Sequence, residues 1–149
     1  MKMVKNPNSW SCLLASAAMV LDQPLERLVQ DLGHDGSKIM WPELTEPYRR
    51  KSFHIQEIVL LCLKYKHSCT CLETNPLSTP SEVSLPIQAI SPAIMCERIR
   101  IHAKKNKGIC VTPTHACAWD GFKIFDPKGL IYLWEDLKEL QFFFLIKEF

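Results

Sequence analysis

The residue whose type and position most favour chemistry in this chain is a cysteine near the amino end. Cys12 follows the turn-forming segment Asn6-Pro7-Asn8-Ser9 and opens an apolar, alanine-rich run that extends to Leu21. This run predicts a buried helix, with Ser9 or Ser11 as N-cap and Cys12 in the first turn. The helix dipole and the unpaired N–H groups there favour a thiolate and can stabilise an oxyanion beside it. A buried structural cysteine is the alternative interpretation.

A histidine and an aspartate further along the chain have the spacing of partners across a β-hairpin. His115 opens an alternating run that ends at Trp119, and Asp126 follows in the next predicted strand. A turn at Asp120-Gly121 places His115 opposite Asp126, where cross-strand side chains are about 4.5–5.5 Å apart at Cβ. The carboxylate can then orient the imidazole, which takes the thiol proton of Cys12 as a general base. A structural ion pair beside a turn is the alternative.

The elements that must position these residues divide into a helical first part and a strand-rich second part. Apolar spacing predicts a second helix from about Pro24 to Gly33 and a third helix capped by Ser52. Further helices are predicted at 94–103 and 135–140, and strands at 70–73, 108–112, 115–119, 122–125, 131–133 and 142–146, with an extended piece at 83–90. Helices followed by an antiparallel sheet define an α+β fold.

Composition and charge exclude several classes of function. Hydrophobic residues make up 47% and charged residues 23% of the 149 residues, which predicts one globular domain spanning 1–149. The net charge is only +2, and the basic runs at 48–51 and 104–107 are short, so we expect no nucleic-acid partner. Because no apolar stretch has the length of a membrane span or the order of a signal peptide, we expect a cytoplasmic protein.

The cysteines favour free thiols over a disulfide framework or a metal site. Their number, 7, is odd, so at least one lies outside any intramolecular disulfide. In a reducing compartment most of them remain free and pack as small hydrophobic side chains. Cys62, His67, Cys69 and Cys71 are close in sequence but lack the usual spacing of zinc ligands. We therefore expect neither a metal nor another cofactor.

Two segments of the second half give the chain a family resemblance. They are the strand His115-Ala116-Cys117-Ala118-Trp119-Asp120-Gly121 and the segment Phe125-Asp126-Pro127-Lys128, which complement a cysteine at the head of the first helix. In these features the chain resembles the papain-like cysteine peptidases. The likeness is greatest to the small bacterial and phage proteins grouped with bacteriocin-leader-processing (double-glycine) peptidases. Segments 10–12 and 32–37 also look like such proteins, so the resemblance extends over residues 6–129.

The resemblance implies a fold, a reaction and a set of catalytic residues. It implies N-terminal helices packed on a C-terminal antiparallel sheet, with a cleft between them that holds Cys12, His115 and Asp126 as a triad. Such an enzyme cleaves an amide or peptide bond through an acyl-cysteine intermediate. The glutamine that this family uses for its oxyanion hole has no counterpart ahead of Cys12. Asn6 can supply the same side-chain amide, and Asn8 is the alternative.

Two functions are compatible with these observations. The first is a cysteine hydrolase, either a peptidase or an amidohydrolase, that acts on a peptide or protein substrate. The second is a catalytically weak or inactive papain-like scaffold that binds a protein through surface loops such as 41–50. A phage-encoded effector directed at a host protein, in the host cytoplasm, is one form of this second function. The missing glutamine and the short chain motivate it, and it predicts that Cys12→Ala leaves the biological activity intact.

Overall fold

Three of the helices come from the first half of the chain, and most of the sheet comes from the second half. The computed structural model describes residues 1–38, 51–74 and 91–149. Four α-helices form within these ranges, namely α1 (Cys12–Leu21), α2 (Leu25–Leu32), α3 (Ile55–Lys64) and α4 (Pro92–Ala103). The binding loop considered at 41–50 and the extended piece predicted at 83–90 lie outside the described residues.

The described strands form a single six-stranded sheet. They are β1 (His67–Glu73), β2 (Lys107–Val111), β3 (Ala116–Trp119), β4 (Ile124–Asp126), β5 (Leu130–Tyr132) and β6 (Phe142–Glu148). Their order across the sheet is β1-β6-β2-β3-β4-β5, and each neighbouring pair is antiparallel. The fold is therefore α+β, as predicted, although α4 follows the first strand in the chain. A short 3-10 helix at Trp134–Asp136 replaces the helix predicted at 135–140.

Each face of the sheet buries its own hydrophobic cluster. Because side chains alternate along a strand, Phe142 and Phe144 of β6 pack with residues of α1, α2 and α3, whereas Phe143 packs with residues of α4 and with Trp134. We call these two sides the α1 face and the α4 face. All 7 cysteines are free thiols, and in the part of the chain that the structure describes no helix is long and apolar enough to cross a membrane.

Local sequence explains where the first three helices begin and end. The nine residues of α1 that follow Cys12 are all buried, as expected for an apolar run of this length. Gly33 ends α2 in the left-handed conformation, with φ +78°, which confirms its predicted role. The prediction of Ser52 as the cap of α3 is wrong. His54 caps this helix instead, because its ring accepts the Gln56 N–H while the Glu57 carboxylate accepts the His54 N–H.

The connection between β3 and β4 is longer than the predicted two-residue turn. Ala118 pairs with Phe125 and Trp119 pairs with Ile124, so four residues, 120–123, form the loop. The Asp120 carboxylate accepts two backbone N–H groups within this loop, at 2.8 and 2.7 Å, which stabilises the wider turn. The register that placed His115 directly opposite Asp126 is therefore wrong by two residues. Continuing the observed pairing sets Asp126 opposite Cys117 instead.

Candidate active site

Cys12 occupies the first position of α1, as predicted. Ser11 precedes it at the N-cap position, but the Ser11 side chain makes no capping hydrogen bond. The backbone N–H groups of Leu13 and Ala116 lie near the Cys12 sulfur and lower the pKa of its thiol. Cys12 keeps part of its surface exposed, whereas the rest of α1 is buried. The start of the helix and the start of β3 therefore meet at a thiol that solvent can reach.

His115 stands immediately before β3, at the end of a tight connection from β2. The N–H of Thr112 donates to the carbonyl oxygen of His115 at 2.9 Å, which closes the loop over Pro113 and Thr114. The His115 side chain is 20% exposed, so the ring is held in place but remains accessible. The imidazole and the Cys12 thiol are also close enough for each group to shift the pKa of the other. The structure therefore brings together two side chains that are about a hundred residues apart in sequence.

Asp126 ends β4 and accepts three hydrogen bonds. Its Oδ1 lies 2.7 Å from Nε2 of His115 and also accepts the Lys128 N–H at 2.9 Å. Its Oδ2 accepts the hydroxyl proton of Tyr132 at 3.1 Å. The carboxylate is buried, with 5% of the residue exposed, so these bonds hold it in one orientation. Since Nε2 donates to Asp126, Nδ1 is the ring nitrogen that remains for the thiol proton.

These three side chains meet around the end of β3 rather than on one face of the sheet. Cys12 packs with the cluster on the α1 face. Asp126 follows the alternation of β4, in which Ile124 belongs to the α4 face, so its side chain lies on that second side. His115 has the same parity along the chain as Cys117 and Trp119 of the α4 face, but it precedes the first paired residue of β3, so its ring can also reach the side of Cys12. A thiol on one face can therefore share a histidine with a carboxylate on the other.

The electrostatics of the three groups favour an ionised pair. Burial raises the pKa of the Cys12 thiol, but the hydrogen bond and charge of His115 outweigh burial, and the net pKa lies below the ordinary value. The Cys117 and Cys12 thiols raise the pKa of His115 to about 11, against the effect of burial. Burial likewise opposes ionisation of Asp126, yet its bonds to Lys128 N–H and His115 keep its pKa below the ordinary value. The site therefore favours thiolate and imidazolium together.

Sequence reasoning missed two residues that contact this site. Cys117 is fully buried, and its Sγ lies 3.2 Å from the Tyr132 hydroxyl oxygen. Because the single hydroxyl proton of Tyr132 goes to Asp126, the Cys117 thiol is the donor in this contact. The two-residue spacing from His115 to Cys117 is a signal that both side chains share one face. No local signal in the sequence identifies Tyr132 as a partner of the site.

A cleft of about 610 Å³ opens beside the histidine. Its lining includes His115, Thr114, Lys128, Asn6 and Asn8. The cleft therefore gives a solute access to the imidazole and to both asparagines that the sequence suggested for an oxyanion hole. Its wall also includes two cationic side chains, those of Lys5 and Lys128.

The two asparagines occupy consecutive turns at the edge of this cleft. The backbone N–H of Asn6 donates to the carbonyl oxygen of Pro127 at 2.7 Å, which ties Asn6 to the residue after Asp126. Its Oδ1 accepts the Asn8 N–H at 3.5 Å, and Oδ1 of Asn8 accepts the Trp10 N–H at 3.0 Å. Each side-chain carbonyl therefore bonds to the backbone, which leaves the amide N–H groups as available donors. The choice between them stays a prediction.

Comparisons of this chain with models of protein families, with curated proteins and with solved structures find no significant match. The geometry of the described residues therefore carries the functional argument. That geometry defines a class of site: a thiol at a helix start, an imidazole beside it and a buried carboxylate behind the imidazole.

Proposed function

We propose that this protein is a papain-like cysteine hydrolase that acts on an amide or peptide bond through an acyl-Cys12 intermediate. The observation that carries the proposal is the connection from the Cys12 thiol through His115 to Asp126. These groups have the chemistry of a nucleophile, a general base and an orienting carboxylate. The order of the three residues along the chain and the α+β arrangement agree with the papain-like resemblance.

Acylation follows from the ionised state of the pair. The Cys12 thiolate attacks the carbonyl carbon of the substrate and forms a sulfur–carbon bond, while the carbonyl oxygen becomes an oxyanion. The free N–H groups in the first turn of α1 and the side-chain amide of Asn6 stabilise this oxyanion, with Asn8 as the alternative donor. The His115 imidazolium then gives its proton to the leaving nitrogen as the carbon–nitrogen bond breaks.

Deacylation uses the same imidazole in the opposite direction. Neutral His115 takes a proton from water, and the resulting hydroxide attacks the acyl carbon. The sulfur–carbon bond breaks, the carboxylic acid leaves, and Cys12 recovers its thiolate paired with the imidazolium. Asp126 stays ionised throughout, because its three hydrogen bonds keep its pKa low, and its charge stabilises the imidazolium of each step.

Trapping the acyl enzyme tests the proposal without knowledge of the natural substrate. The full chain is mixed with p-nitrophenyl acetate, nitrophenolate release is followed, and the acetylated residue is located by mass spectrometry of peptides. We expect a burst of one nitrophenolate per chain, with the acetyl group on Cys12. The burst is lost in Cys12→Ala and His115→Ala. Cys71→Ala is the matched control, because Cys71 is an exposed free thiol on β1.

Two results would overturn the proposal. One is acetylation of Cys12 and Cys71 at equal rates with no effect of His115→Ala, which would show an unactivated thiol. The other is a binding partner that wild type and Cys12→Ala retain equally well while no acylation occurs at Cys12. That second result would support the catalytically inactive binding scaffold instead.

A further inference from the structure

One thiol beside the histidine has no part in the hydrolytic steps. Cys117 lies two residues after His115, is fully buried on the α4 face, and its sulfur lies 3.2 Å from the Tyr132 hydroxyl oxygen. A cysteine that merely fills the core needs no polar neighbours. Here, however, the neighbours of the sulfur are an imidazole, a carboxylate and a hydroxyl.

The spacing of these polar atoms fits one metal ion. A nitrogen of His115, the sulfur of Cys117 and a carboxylate oxygen of Asp126 lie within 4.8 Å of one another. Ligands at zinc-like bond lengths in a tetrahedral site are about 3.6 Å apart. Small side-chain movements therefore bring all three to bonding distance. No other group of three such residues is this close among residues 1–38, 51–74 and 91–149.

The chemistry of the donors selects the ion. One thiolate, one imidazole and one carboxylate suit Zn²⁺ and similar thiophilic divalent ions, and they do not suit Mg²⁺ or Ca²⁺, which take oxygen ligands. The two anionic donors neutralise the charge of the ion, which burial of the site requires. Tyr132 donates to Asp126 and so provides the outer hydrogen bond that orients a ligating carboxylate.

We propose that His115, Cys117 and Asp126 form a binding site for Zn²⁺, with water as the fourth ligand. On binding, the Cys117 thiol and Nε2 of the His115 imidazolium each release one proton to solvent, so the sulfur and Nε2 bind the ion while Nδ1 keeps its proton. With Nε2 bound to the ion, the ring can no longer cycle between the imidazolium that protonates the leaving nitrogen and the neutral imidazole that takes a proton from water, so the ion blocks acid–base catalysis. The metal is thus a reversible inhibitor, and this consequence rests on the proposed hydrolase function, whereas the binding itself does not.

Cobalt reports on the site directly, since Co²⁺ bound to a thiolate absorbs by charge transfer in the near ultraviolet. The full chain is freed of metal under reducing conditions and titrated with Co²⁺, and Zn²⁺ is then used to displace it. We expect one Co²⁺ per chain. Loss of a residue that only hydrogen-bonds to a metal ligand typically costs about 10–100-fold in affinity. Cys117 is a direct ligand, so we expect Cys117→Ala to weaken Co²⁺ binding by about 100-fold or more and to abolish the charge-transfer band.

Two matched variants separate this site from other thiols and from catalysis. Cys110 pairs with Cys117 across β2 and β3 and is equally buried, but it is outside the cluster, so Cys110→Ala keeps the cobalt band. Cys12→Ala keeps it too, although that variant has no nucleophile. Cobalt binding in Cys12→Ala therefore tests the metal site even where the hydrolase proposal fails. Zn²⁺ should slow acylation of Cys12 in wild type and in Cys110→Ala, but not in Cys117→Ala.

Two results would overturn the proposal. One is a cobalt band that persists in Cys117→Ala, which would place the ion on other thiols; the other is a lack of saturable Co²⁺ binding to the wild-type protein. Circular dichroism establishes that each variant is folded. If Cys117→Ala does not fold, two other variants take its place: the isosteric Cys117→Ser, and His115→Ala at a more exposed position. Each of them must lose the cobalt charge-transfer band.

Discussion

Asp126 lies diagonally across the β3–β4 pair from His115, and its Oδ1 is nevertheless 2.7 Å from Nε2 of the ring. Diagonal neighbours on one face of an antiparallel pair are about 7–8 Å apart, which an imidazole and a carboxylate can span together. The position directly opposite Asp126 belongs to Cys117. A single carboxylate therefore supports His115 and also lies opposite a second thiol, which places the acid–base residues and the proposed zinc ligands in one cluster.

The pH dependence of Cys12 reactivity follows from its lowered pKa. We expect the rate of alkylation by iodoacetamide to reach half its maximum below pH 9.0, the ordinary thiol value, because His115 stabilises the thiolate. In His115→Ala only burial and the backbone N–H groups still act on the Cys12 thiol. We therefore expect the pH at which its alkylation rate is half-maximal to rise. Cys71 is the internal control, because burial raises the pKa of its thiol above 9.0. Identical profiles for the two thiols would contradict the expectation.

The buried carboxylate makes a contribution to stability that acid removes. The folded-state pKa of Asp126 lies below 3.8, so its contribution is complete above the unfolded value and is lost as pH falls through the folded pKa. We expect Asp126→Asn to lower the free energy of unfolding by about 1.5–3 kcal/mol at neutral pH. Urea denaturation at several pH values measures the difference between wild type and the variant. A difference that does not shrink below pH 3.8 would argue against an ionised Asp126.

Tyr132 positions the carboxylate. Tyr132→Phe removes the bond to Oδ2, so the pKa of Asp126 rises toward its ordinary value and the imidazole is held less firmly. We expect acylation of Cys12 to slow by about tenfold, which corresponds to about 1.4 kcal/mol for a bond to a charged group. Tyr65→Phe is the control, because the Tyr65 hydroxyl donates to Asp31 instead. An equal loss in both variants would indicate a general effect on folding.

The two asparagines can be distinguished by comparing two reactions of Cys12. Acyl transfer develops an oxyanion, whereas alkylation by iodoacetamide at the sulfur does not. If Asn6 donates to the oxyanion, Asn6→Ala slows acylation by about 10²–10³ and leaves alkylation unchanged. The backbone bond from Asn6 to Pro127 survives the substitution, which protects the local fold. A loss in Asn8→Ala without one in Asn6→Ala would reassign the role.

Substitution of Gly108 tests how closely β2 and β6 approach each other in the sheet. A Cβ at position 108 would lie 2.3 Å from Cζ of Phe143 and 2.5 Å from the Phe144 carbonyl oxygen. Since neither the buried ring nor the backbone can move freely, we expect Gly108→Ala to lower the free energy of unfolding by about 1–3 kcal/mol. Lys107→Ala, at the exposed neighbouring position, should be close to neutral. Thermal denaturation of both variants makes the comparison.

Local sequence patterns were sufficient to predict the helices and strands on which the site residues lie. The apolar run after Cys12 determined α1, and Gly33 determined the end of α2, because each depends on interactions within a few residues. The alternation of strands also determined that His115 and Asp126 share a face, since the period of two survives a register shift of two.

The tertiary structure decided what depends on distant or competing bonds. The side-chain bonds of Asp120 widened the loop, so Cys117 rather than His115 stands opposite Asp126. Packing of α1 against β3 brought the sulfur of Cys12 to the imidazole, and pairing of β4 with β5 brought Tyr132 to the carboxylate. The alternation of side chains along a strand determines which residues share a face of the sheet. Which residues pair across two strands, and which elements contact each other, is determined only when all the elements pack together.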